Sequence, residues 1–429
     1  MIPPMALYRR WIGGSSDLVS QYTSSIDDDR EIADEVVKVM RAHVAHLSER
    51  GLIPRDAADS ILRALDELRP PDLLKPGYED VHEALEDYLM KRVGPAGGWV
   101  GLGRSRNDHV AAAIRLRLIR HIDALTAIAE RAACAIAEKA LRYADCVMPS
   151  FTHFQPAQPI TLGHYLLALC ELLSDFTAAL NAARQIADKS PLGSGPSGGT
   201  SAPVDRERLA QLAGFGRIAG NTLYASSSRF FASLAASAVA SALAEISRFV
   251  DDLIAWSSPL VGYVRAPAEH VSTSSIMPHK RNPVTLEILR ARISEALADA
   301  LALMMVQEKI GYGYSLDLQE ATRHLWRVFK TAEEGLEVLS DFISKMDFDC
   351  QRSYRDAAAF PTTSSDLAER IALAGTPFRE AYFQVAQAVK EGNAQLPDPR
   401  DAVRRPVSGG PDPGEVAKSA KEILAKCGR

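Results

Sequence analysis

A short polar segment separates two long alanine-rich segments of this 429-residue chain. The segment STSSIMPHKRNP, Ser272–Pro283, contains four hydroxyl groups, a histidine, two cations and an asparagine. The Ser274 hydroxyl can act as a base only if its alkoxide is stabilised, and backbone N–H donors together with Lys280 are suited to that task. Lys280 and Asn282 can also hold a substrate carboxylate, and Glu287 can orient a histidine from another segment or chain. Packing alone gives no reason to collect these side chains, so the segment predicts a catalytic loop.

A second polar motif, GLGRSRNDH, spans residues 101–109 and opens a long predicted helix. Ser105 is followed three residues later by Asp108, which is the spacing of a capping-box variant. Free backbone N–H groups at such a helix start, with Arg104 and Arg106 beside them, favour an anion such as a carboxylate. The alternative is an ordinary capped helix with solvated arginines, and the motif alone does not decide between the two.

A third motif, FTHFQPAQP, spans residues 151–159 and joins two long predicted helices. Connections of this kind rarely need Thr152, His153, Gln155 and Gln158 together. The two prolines favour an extended backbone that would hold His153 in place. A single loop histidine is more often solvated or structural than catalytic, so its proposed role depends on the other two motifs.

The elements that must position these motifs are predicted to be helices, and the fold class is all-α. Residues 108–144 contain neither Gly nor Pro, and their apolar residues recur at steps of three and four, which predicts one long amphipathic helix. Similar patterns predict four more long helices, at residues 161–189, 226–256, 284–310 and 318–345. At 1.5 Å per residue such helices reach about 45 Å, a length that favours side-by-side association of subunits. No alternating pattern of useful length predicts a strand.

Three domains are predicted along the chain. Residues 1–103 form an N-terminal helical domain with helices at 31–50, 55–68 and 81–92. Residues 104–350 form the central long-helix bundle. Residues 351–429 form a small helical C-terminal domain, with helices near 365–374 and 377–390 and a Pro/Gly-rich loop at 404–414.

Composition excludes several classes of protein. The hydrophobic fraction of 47% suits a folded globular chain, and the formal charge of −5, with Lys and Arg dispersed, gives no footprint for nucleic acid. The most apolar run, residues 230–246, is rich in Ala and Ser, so no membrane span is expected. The cysteines are widely spaced, without a CxxC pair or a neighbouring His at metal-ligand spacing. This pattern suits a reducing compartment, and we expect a soluble cytoplasmic protein without a metal site.

The segment SSIMPHKRNP closely resembles the signature loop of the fumarase/aspartase superfamily, whose members eliminate an amine or water to release fumarate or a related product. GRSRND and THFQPAQP resemble the corresponding motifs of the argininosuccinate lyases and the related δ-crystallins. Similarity to this family extends over most of the chain, through SSIDDDR, EDVHEALEDYL, PLGSG, YSLDLQE, SSDLAERI and GTPFREAY. Adenylosuccinate lyases share a version of the loop with KRNP but usually lack GRSRND and DLQE.

The resemblance implies a homotetramer of three-domain subunits whose central domains form one helical bundle, with each active site shared between subunits and without a cofactor. It implies reversible cleavage of argininosuccinate to arginine and fumarate. Ser274 would abstract the proton, Lys280 and Asn282 would stabilise the charge that forms, and His153, oriented by Glu287, would help protonate the departing nitrogen. Further substrate contacts are implied at Ser25, His82, Arg106, Asn107, Thr152, Tyr314 and Gln319.

Several positions depart from the common family pattern. Thr273 stands where the family usually has glycine, Thr322 where it often has lysine, and Ser228 and Phe230 replace acidic residues beside Arg229. None of these removes a residue assigned to chemistry. Two alternatives remain open: a related lyase acting on adenylosuccinate or another adduct that releases fumarate, and a catalytically silent structural protein of the δ-crystallin kind.

Overall fold

The chain is described by a computed structural model that covers residues 16–427. The first fifteen residues of the predicted N-terminal domain and the last two of the predicted C-terminal domain therefore lie outside the described residues. About 67% of the described residues are helical, as predicted for an all-α protein. The helices are α1 Asp17–Thr23, α2 Ala33–Glu49, α3 Arg55–Glu67, α4 Val81–Val93, α5 Arg106–Arg142, α6 Leu162–Ala187, α7 Arg206–Ala213, α8 Thr222–Ser227, α9 Phe230–Ser257, α10 Val284–Gln307, α11 Asp317–Lys345, α12 Cys350–Ala359, α13 Ser364–Leu373, α14 Phe378–Glu391, α15 Pro399–Ala402 and α16 Pro413–Leu424. The strands are β1 Val147–Thr152, β2 Gln155–Thr161, β3 Val264–Arg265 and β4 Asp347–Phe348.

The five long predicted helices are present, and one of them is interrupted. The predicted helix over residues 226–256 divides into α8 and α9 at Ser228, whose backbone is extended. The Ser228 hydroxyl accepts a hydrogen bond from the Phe230 N–H at 3.2 Å. A serine in this position satisfies an N–H group at the start of the next helix, and it therefore ends one helix and begins another.

The expectation that the chain lacks useful strands is wrong for residues 147–161. β1 and β2 form an antiparallel hairpin in which Val147 pairs with Thr161 and Thr152 with Gln155. The turn consists of His153 and Phe154, with φ values of 54° and 58°, as in a two-residue hairpin turn. Prolines in both strands obscure the alternating pattern, and a two-stranded hairpin tolerates them because only one edge of each strand is paired.

The chain divides into two compact units that are each built from three separate stretches. The first unit contains the described residues up to Ala124, then Ala179–Ala240 and Ala296–Lys330. The second contains Leu125–Ala178, Ser241–Glu295 and the residues from Thr331 onward. The long helices pass through both units, so the chain returns to each unit several times.

The core of the first unit forms where α2 packs against α3 and α7 and where α5 contributes small residues. Ala111, Ala112 and Ala113 of α5 are fully buried. Val39 of α2 and Leu209 of α7 belong to the same core cluster as Ala112. The small alanine side chains allow neighbouring elements to approach α5 closely. This close packing positions the GLGRSRNDH motif at the first turn of α5.

The second unit packs α12 against β1 and α13 against α14. The start of α6 lies so close to the end of α5 that a Cβ atom at Gly163 would meet the Ala140 carbonyl oxygen at 2.5 Å. Only glycine fits that approach without a shift of the backbone. The hairpin that carries Thr152 and His153 is therefore fixed between the ends of two long helices.

Two disulfides join distant parts of the second unit. Cys134 pairs with Cys427, and Cys146 pairs with Cys350, whereas Cys170 is free and buried. Spacing along the sequence did not indicate these pairs, because the partners are separated by 293 and 204 residues and meet only in the folded chain. Disulfides persist in oxidising compartments and in intracellular proteins of hyperthermophiles, so cysteine spacing no longer supports a reducing compartment.

Removal of the terminal disulfide should destabilise the second unit. The double substitution Cys134→Ser with Cys427→Ser is expected to lower the free energy of unfolding by roughly 3–5 kcal/mol, because the bridge closes a very long loop. The measurement is chemical denaturation without reductant. A reductant should lower the stability of the wild type by more than that of the double variant, and an unchanged denaturation midpoint in the variant would contradict the prediction.

Two described helices are long and apolar enough to cross a membrane. They are α6 and α9, with mean hydropathies of 1.4 and 1.5 over their most apolar stretches, of which 39% and 44% are buried within the chain. Core helices of soluble proteins pass the same test. Length and composition alone therefore do not identify either helix as a membrane span.

Candidate active site

The first unit brings the start of α4 and the start of α5 together through charged groups. Arg106 Nη1 lies 2.7 Å from Asp80 Oδ2 and 3.7 Å from Glu79 Oε2. The Asp80 side chain also caps α4 by accepting a hydrogen bond from the Glu83 N–H at 2.7 Å. Burial favours the neutral acid, but Arg106 and these hydrogen bonds hold the pKa of Asp80 below its ordinary value. Asp80 is thus an anion that fixes the Arg106 guanidinium.

Ser25 is held next to this pair by a buried carboxyl group. The Ser25 hydroxyl donates to Asp29 Oδ2 at 3.0 Å, and the Val81 N–H donates to the same oxygen at 2.9 Å. The Ser25 N–H donates to the Glu79 carbonyl oxygen at 2.9 Å. Burial, followed by the charge of Asp80, raises the pKa of Asp29 to about 7. Asp29 was not among the predicted site residues, although it lies within the SSIDDDR segment.

The raised pKa of Asp29 makes the stability of the chain depend on pH. Between the ordinary pKa of 3.8 and the folded pKa of about 7, the folded state binds more protons than the unfolded state, so this group contributes stability at low pH that is lost as the pH rises through about 7. Because one pKa unit corresponds to about 1.4 kcal/mol, the loss is as much as about 4 kcal/mol.

The substitution Asp29→Asn should remove this loss, because its amide oxygen still accepts from Ser25 and Val81. Denaturation at pH 4 and pH 8 should show the variant gaining stability relative to the wild type as the pH rises. Asp27→Asn is the matched control, since Asp27 is an exposed neighbour. Equal pH dependence in wild type and Asp29→Asn would refute the assignment.

The predicted site residue His82 lies on the first turn of α4 and is 1% exposed. Burial lowers its pKa to about 4, so the ring is neutral at neutral pH. Neither ring nitrogen has a hydrogen-bond partner within residues 16–427. Buried polar atoms normally have one, so this ring can bind a polar ligand or a water molecule.

Asn107 lies at the beginning of α5, where the predicted capping contacts are present. The Ser105 N–H donates to Asp108 Oδ1 at 3.0 Å, and the Ser105 hydroxyl accepts from the Asn107 N–H at 3.2 Å. Asp108 Oδ2 also accepts from the Gly195 N–H at 2.9 Å, which ties the PLGSG segment to the helix start. The Asn107 Nδ2 atom lies 3.5 Å from the Pro196 carbonyl oxygen, and the residue is partly exposed.

Gln319 and Tyr314 lie in the same unit, near the start of α11. Gln319 Nε2 donates a hydrogen bond to the Thr23 carbonyl oxygen at 3.1 Å. Because Thr23 is two residues before Ser25, this contact brings Gln319 close to the Ser25 segment. Burial raises the pKa of Tyr314, and Arg229, Asp80 and Arg106 lie within electrostatic reach of its hydroxyl. Tyr314 is therefore a neutral hydroxyl beside the charged pair at the start of α5.

Arg229 is a buried cation that the sequence did not assign to the site. Its Nη1 atom donates to the Ser226 carbonyl oxygen at 3.2 Å, whereas Nε and Nη2 have no partner among the described residues. Burial lowers its pKa to about 10, so it is charged at neutral pH. The buried Arg115 guanidinium lies 3.8 Å above the Phe231 ring nearby. The replacement of acidic residues by Ser228 and Phe230 was the sequence signal for this unpaired charge.

In the second unit, the predicted catalytic loop is closed at its base and exposed beyond it. The Ser272 N–H donates to the Asn282 carbonyl oxygen at 3.0 Å, and the Asn282 N–H donates to the Ser272 carbonyl oxygen at 2.8 Å. The Ser274 Oγ atom accepts from the N–H groups of Ile276 at 3.3 Å and Met277 at 3.2 Å. Thus two backbone dipoles point at the hydroxyl that was predicted to lose its proton.

The remaining predicted residues of the second unit are accessible in the single chain. Thr152 and His153 lie at the exposed end of the hairpin, Lys280 lies on the exposed side of the loop, and Glu287 is exposed on α10. The positive φ of His153 is a conformation that costs a non-glycine residue about 1 kcal/mol. The hairpin turn therefore fixes the backbone from which the exposed His153 side chain extends.

The predicted site residues thus form two groups within the chain. The first unit holds Ser25, His82, Arg106, Asn107, Tyr314 and Gln319, and the second holds Thr152, His153, Ser274, Lys280, Asn282 and Glu287. Neighbouring groups such as Asp29, Asp80 and the Thr23 carbonyl hold Ser25, Arg106 and Gln319 of the first group. Members of the second group lie on an exposed loop, a hairpin turn and a helix.

The helical fold and the signature loop define a lyase, and residues 11–297 match the lyase family. The chain belongs to this family. Argininosuccinate lyase of Pyrobaculum calidifontis is 59% identical over 424 residues, with 99% of each chain covered. Argininosuccinate lyase of Sulfolobus acidocaldarius is 41% identical over 409 residues, with 95% of this chain and 90% of its own length covered. Within the lyase family, this chain is placed among the argininosuccinate lyases.

Solved structures give the same fold. EDDS lyase in complex with formate superposes with a TM-score of 0.80 at 25% identity, and the match covers 96% of this chain and 90% of that one. A fumarate lyase:delta crystallin from Brucella melitensis superposes with a TM-score of 0.76 at 19% identity, with 96% and 95% of the two chains covered. The second likeness concerns the fold alone.

Proposed function

We propose that this enzyme cleaves argininosuccinate reversibly into arginine and fumarate. The observation that carries the proposal is the Ser274 Oγ atom, which accepts two backbone N–H groups within an exposed loop. Hydrogen bonds that a hydroxyl accepts become stronger when it loses its proton, so this arrangement favours the alkoxide. The full-length likeness to argininosuccinate lyases gives the substrate.

Ser274 takes the proton from the carbon next to a carboxylate of the succinyl part. That proton is far too weakly acidic for a free base at neutral pH, so the site must stabilise the dianionic aci-carboxylate that forms. Lys280, Asn282 and the helix start at Asn107 are the donors for this charge. The exposure of Lys280 in the single chain suits a loop that closes on substrate and excludes water.

The elimination ends when the bond between the succinyl carbon and the guanidinium nitrogen breaks. The electron pair of the broken C–H bond forms the double bond of fumarate, and the electron pair of the broken C–N bond leaves with the nitrogen. His153, oriented by Glu287, helps return a proton to that nitrogen and completes arginine. The fixed backbone of His153 at the hairpin turn supports a directed proton transfer.

The polar cluster of the first unit is suited to substrate recognition. Tyr314 and Gln319 accept from the guanidinium end of the arginine part, and the unpartnered atoms of Arg229 receive a carboxylate. The orphaned nitrogens of His82 find a polar partner in the bound state. The remaining contacts of this proposal are Ser25, Arg106, Asn107 and Thr152.

The enzyme works as a soluble cytoplasmic homotetramer of three-domain subunits, with boundaries near residues 103 and 350 and active sites shared between subunits. Support comes from apolar surface that a single chain leaves uncovered. The side chains of Phe230, Leu301 and Met305 are each more than half exposed. Burying such surface against other copies is the usual solution for a helical bundle. No cofactor enters the proposed chemistry.

Fumarate release, followed by ultraviolet absorbance, tests the proposal. Argininosuccinate and adenylosuccinate are offered to the purified protein in parallel. Turnover of argininosuccinate alone is the expected result. Turnover of adenylosuccinate would keep the mechanism and overturn the substrate, whereas a folded protein that turns over neither would favour a structural role of the δ-crystallin kind.

A further inference from the structure

The catalytic loop of the second unit is connected to the helices through a narrow base, which we call the loop neck. The loop neck consists of Ser272 and Asn282, joined by their two backbone hydrogen bonds. His270 lies two residues before it, and Thr285 lies three residues after it at the start of α10. The position of Ser274 therefore depends on what holds these two flanking residues.

His270 joins both sides of the loop neck to α11. Its Nδ1 atom lies 3.0 Å from Thr285 Oγ1, and its Nε2 atom lies 2.9 Å from Asp341 Oδ2. Thr285 Oγ1 also lies 3.4 Å from the His270 carbonyl oxygen. The ring is 5% exposed and packs edge-on against Phe342, with ring centroids 5.3 Å apart. A buried imidazole with both nitrogens engaged is a fixed structural link.

The protons of this link can be assigned in either charge state of His270. In the neutral ring, Nε2–H donates to Asp341 and Nδ1 accepts from the Thr285 hydroxyl. In the protonated ring, Nδ1–H donates to Thr285 Oγ1, and the Thr285 hydroxyl turns to the His270 carbonyl oxygen. The imidazole therefore bridges Thr285 and Asp341 in both states.

A metal ion is not the natural explanation for the acidic groups around His270. Ligand atoms of Glu269, His270 and Asp341 lie within 4.8 Å of one another. However, the Lys345 ammonium lies 2.9 Å from Asp341 Oδ2 and also contacts Glu269. A lysine already supplies the positive charge that an ion would bring, so the cluster is an internal network that anchors the loop neck to α11.

We propose that His270, Thr285 and Asp341 are positioning residues that hold the loop neck and thereby the Ser274 hydroxyl in its reactive place. The inference rests on the proposed function, because it gives the loop its catalytic meaning. None of the three touches the substrate. They raise the fraction of molecules in which the loop has the geometry needed for proton abstraction, so their loss lowers kcat.

Thr285→Val tests the link across the loop neck, because valine has the shape of threonine without its hydroxyl. We expect kcat for argininosuccinate to fall about tenfold, the equivalent of one hydrogen bond, with KM changed less than about threefold. Thr285→Ser should restore kcat, because it keeps the hydroxyl. An unchanged kcat in Thr285→Val, or a failure of serine to rescue it, would overturn the proposal.

Two substitutions of His270 separate its two contacts. The amide nitrogen of asparagine has the position of Nδ1, and that of glutamine has the position of Nε2. His270→Asn keeps the contact with Thr285, and His270→Gln keeps the contact with Asp341. Each should lose less kcat than His270→Ala. If alanine is no worse than either amide, the hydrogen bonds are not what positions the loop.

A second histidine–aspartate pair, His324 with Asp299, provides the matched control. It joins α11 to α10 in the first unit, and His324 Nδ1 lies 2.5 Å from Asp299 Oδ1. His324→Ala should leave kcat within about twofold of wild type. A fall in kcat equal to that of His270→Ala would make the effect one of general stability.

Hydrogen exchange of the amides of residues 272–283 supplies a readout that does not depend on turnover. Thr285→Val should accelerate exchange at the Ser272 and Asn282 amides, and Thr285→Ser should not. If wild-type protein turns over no argininosuccinate but the exchange result holds, the proposed substrate is wrong and the loop-neck link stands. If the wild-type protein turns over argininosuccinate but Thr285→Val does not accelerate amide exchange, the loop-neck link is wrong and the proposed function stands.

Discussion

Replacing Ser274 with alanine is expected to lower turnover of argininosuccinate by about a thousandfold or more, because the reaction loses its base. Among the described residues the hydroxyl accepts only from Ile276 and Met277, at 3.3 and 3.2 Å, so its removal frees two exposed N–H groups that water can satisfy. The fold and the thermal midpoint should therefore change little. The measurement is the initial rate of fumarate release, together with the binding of arginine or fumarate, which should persist.

Ser275→Ala is the matched control for this experiment. Ser275 is the exposed neighbour in the same loop, and its substitution should leave at least about a tenth of wild-type kcat. If Ser274→Ala retained activity near wild type, Ser274 would lose the role of base. If both variants lost activity equally, damage to the loop would explain the result better than loss of one group.

The helices could be predicted because their signal is local and repeated. In α5 the apolar residues recur over 37 residues without Gly or Pro, and the predicted ends lie two residues from the observed ones. The hairpin of β1 and β2 escaped prediction because its strands are short and contain prolines at positions 149, 156 and 159. The turn at His153 and Phe154 lacks the Asn-Gly signal that normally marks such a hairpin.

The chemical groups of the candidate site could be proposed from motifs, but their supporting contacts could not. Asp29 and Asp80 lie in the SSIDDDR and EDVHEALEDYL motifs, yet their burial beside Ser25 and Arg106 depends on how α4 meets α5. The contact between His270 and Asp341 joins residues 71 positions apart. Pairings of that kind are set by tertiary packing, for which a single sequence contains no direct signal.

Mixing two inactive variants should restore activity if each site takes Ser274 and His153 from different subunits. Ser274→Ala and His153→Asn are each expected to be inactive as pure oligomers, since each lacks one proton-transfer group at every site. In randomly mixed hybrids, about a quarter of the sites receive an intact Ser274 from one subunit and an intact His153 from another. Hybrids should therefore recover about a quarter of wild-type turnover, measured as fumarate release after reversible dissociation and reassociation.

The matched control mixes Ser274→Ala with Lys280→Ala. Both residues lie in the same loop of one chain and enter a site together, so every site in these hybrids keeps a defect and activity should stay absent. Native mass spectrometry, with one variant mass-labelled, would establish that hybrids form in both mixtures. If hybrids of Ser274→Ala and His153→Asn form and remain inactive, each site draws both groups from one subunit. The exposed hairpin turn that carries His153 would then have to reach the loop of its own chain.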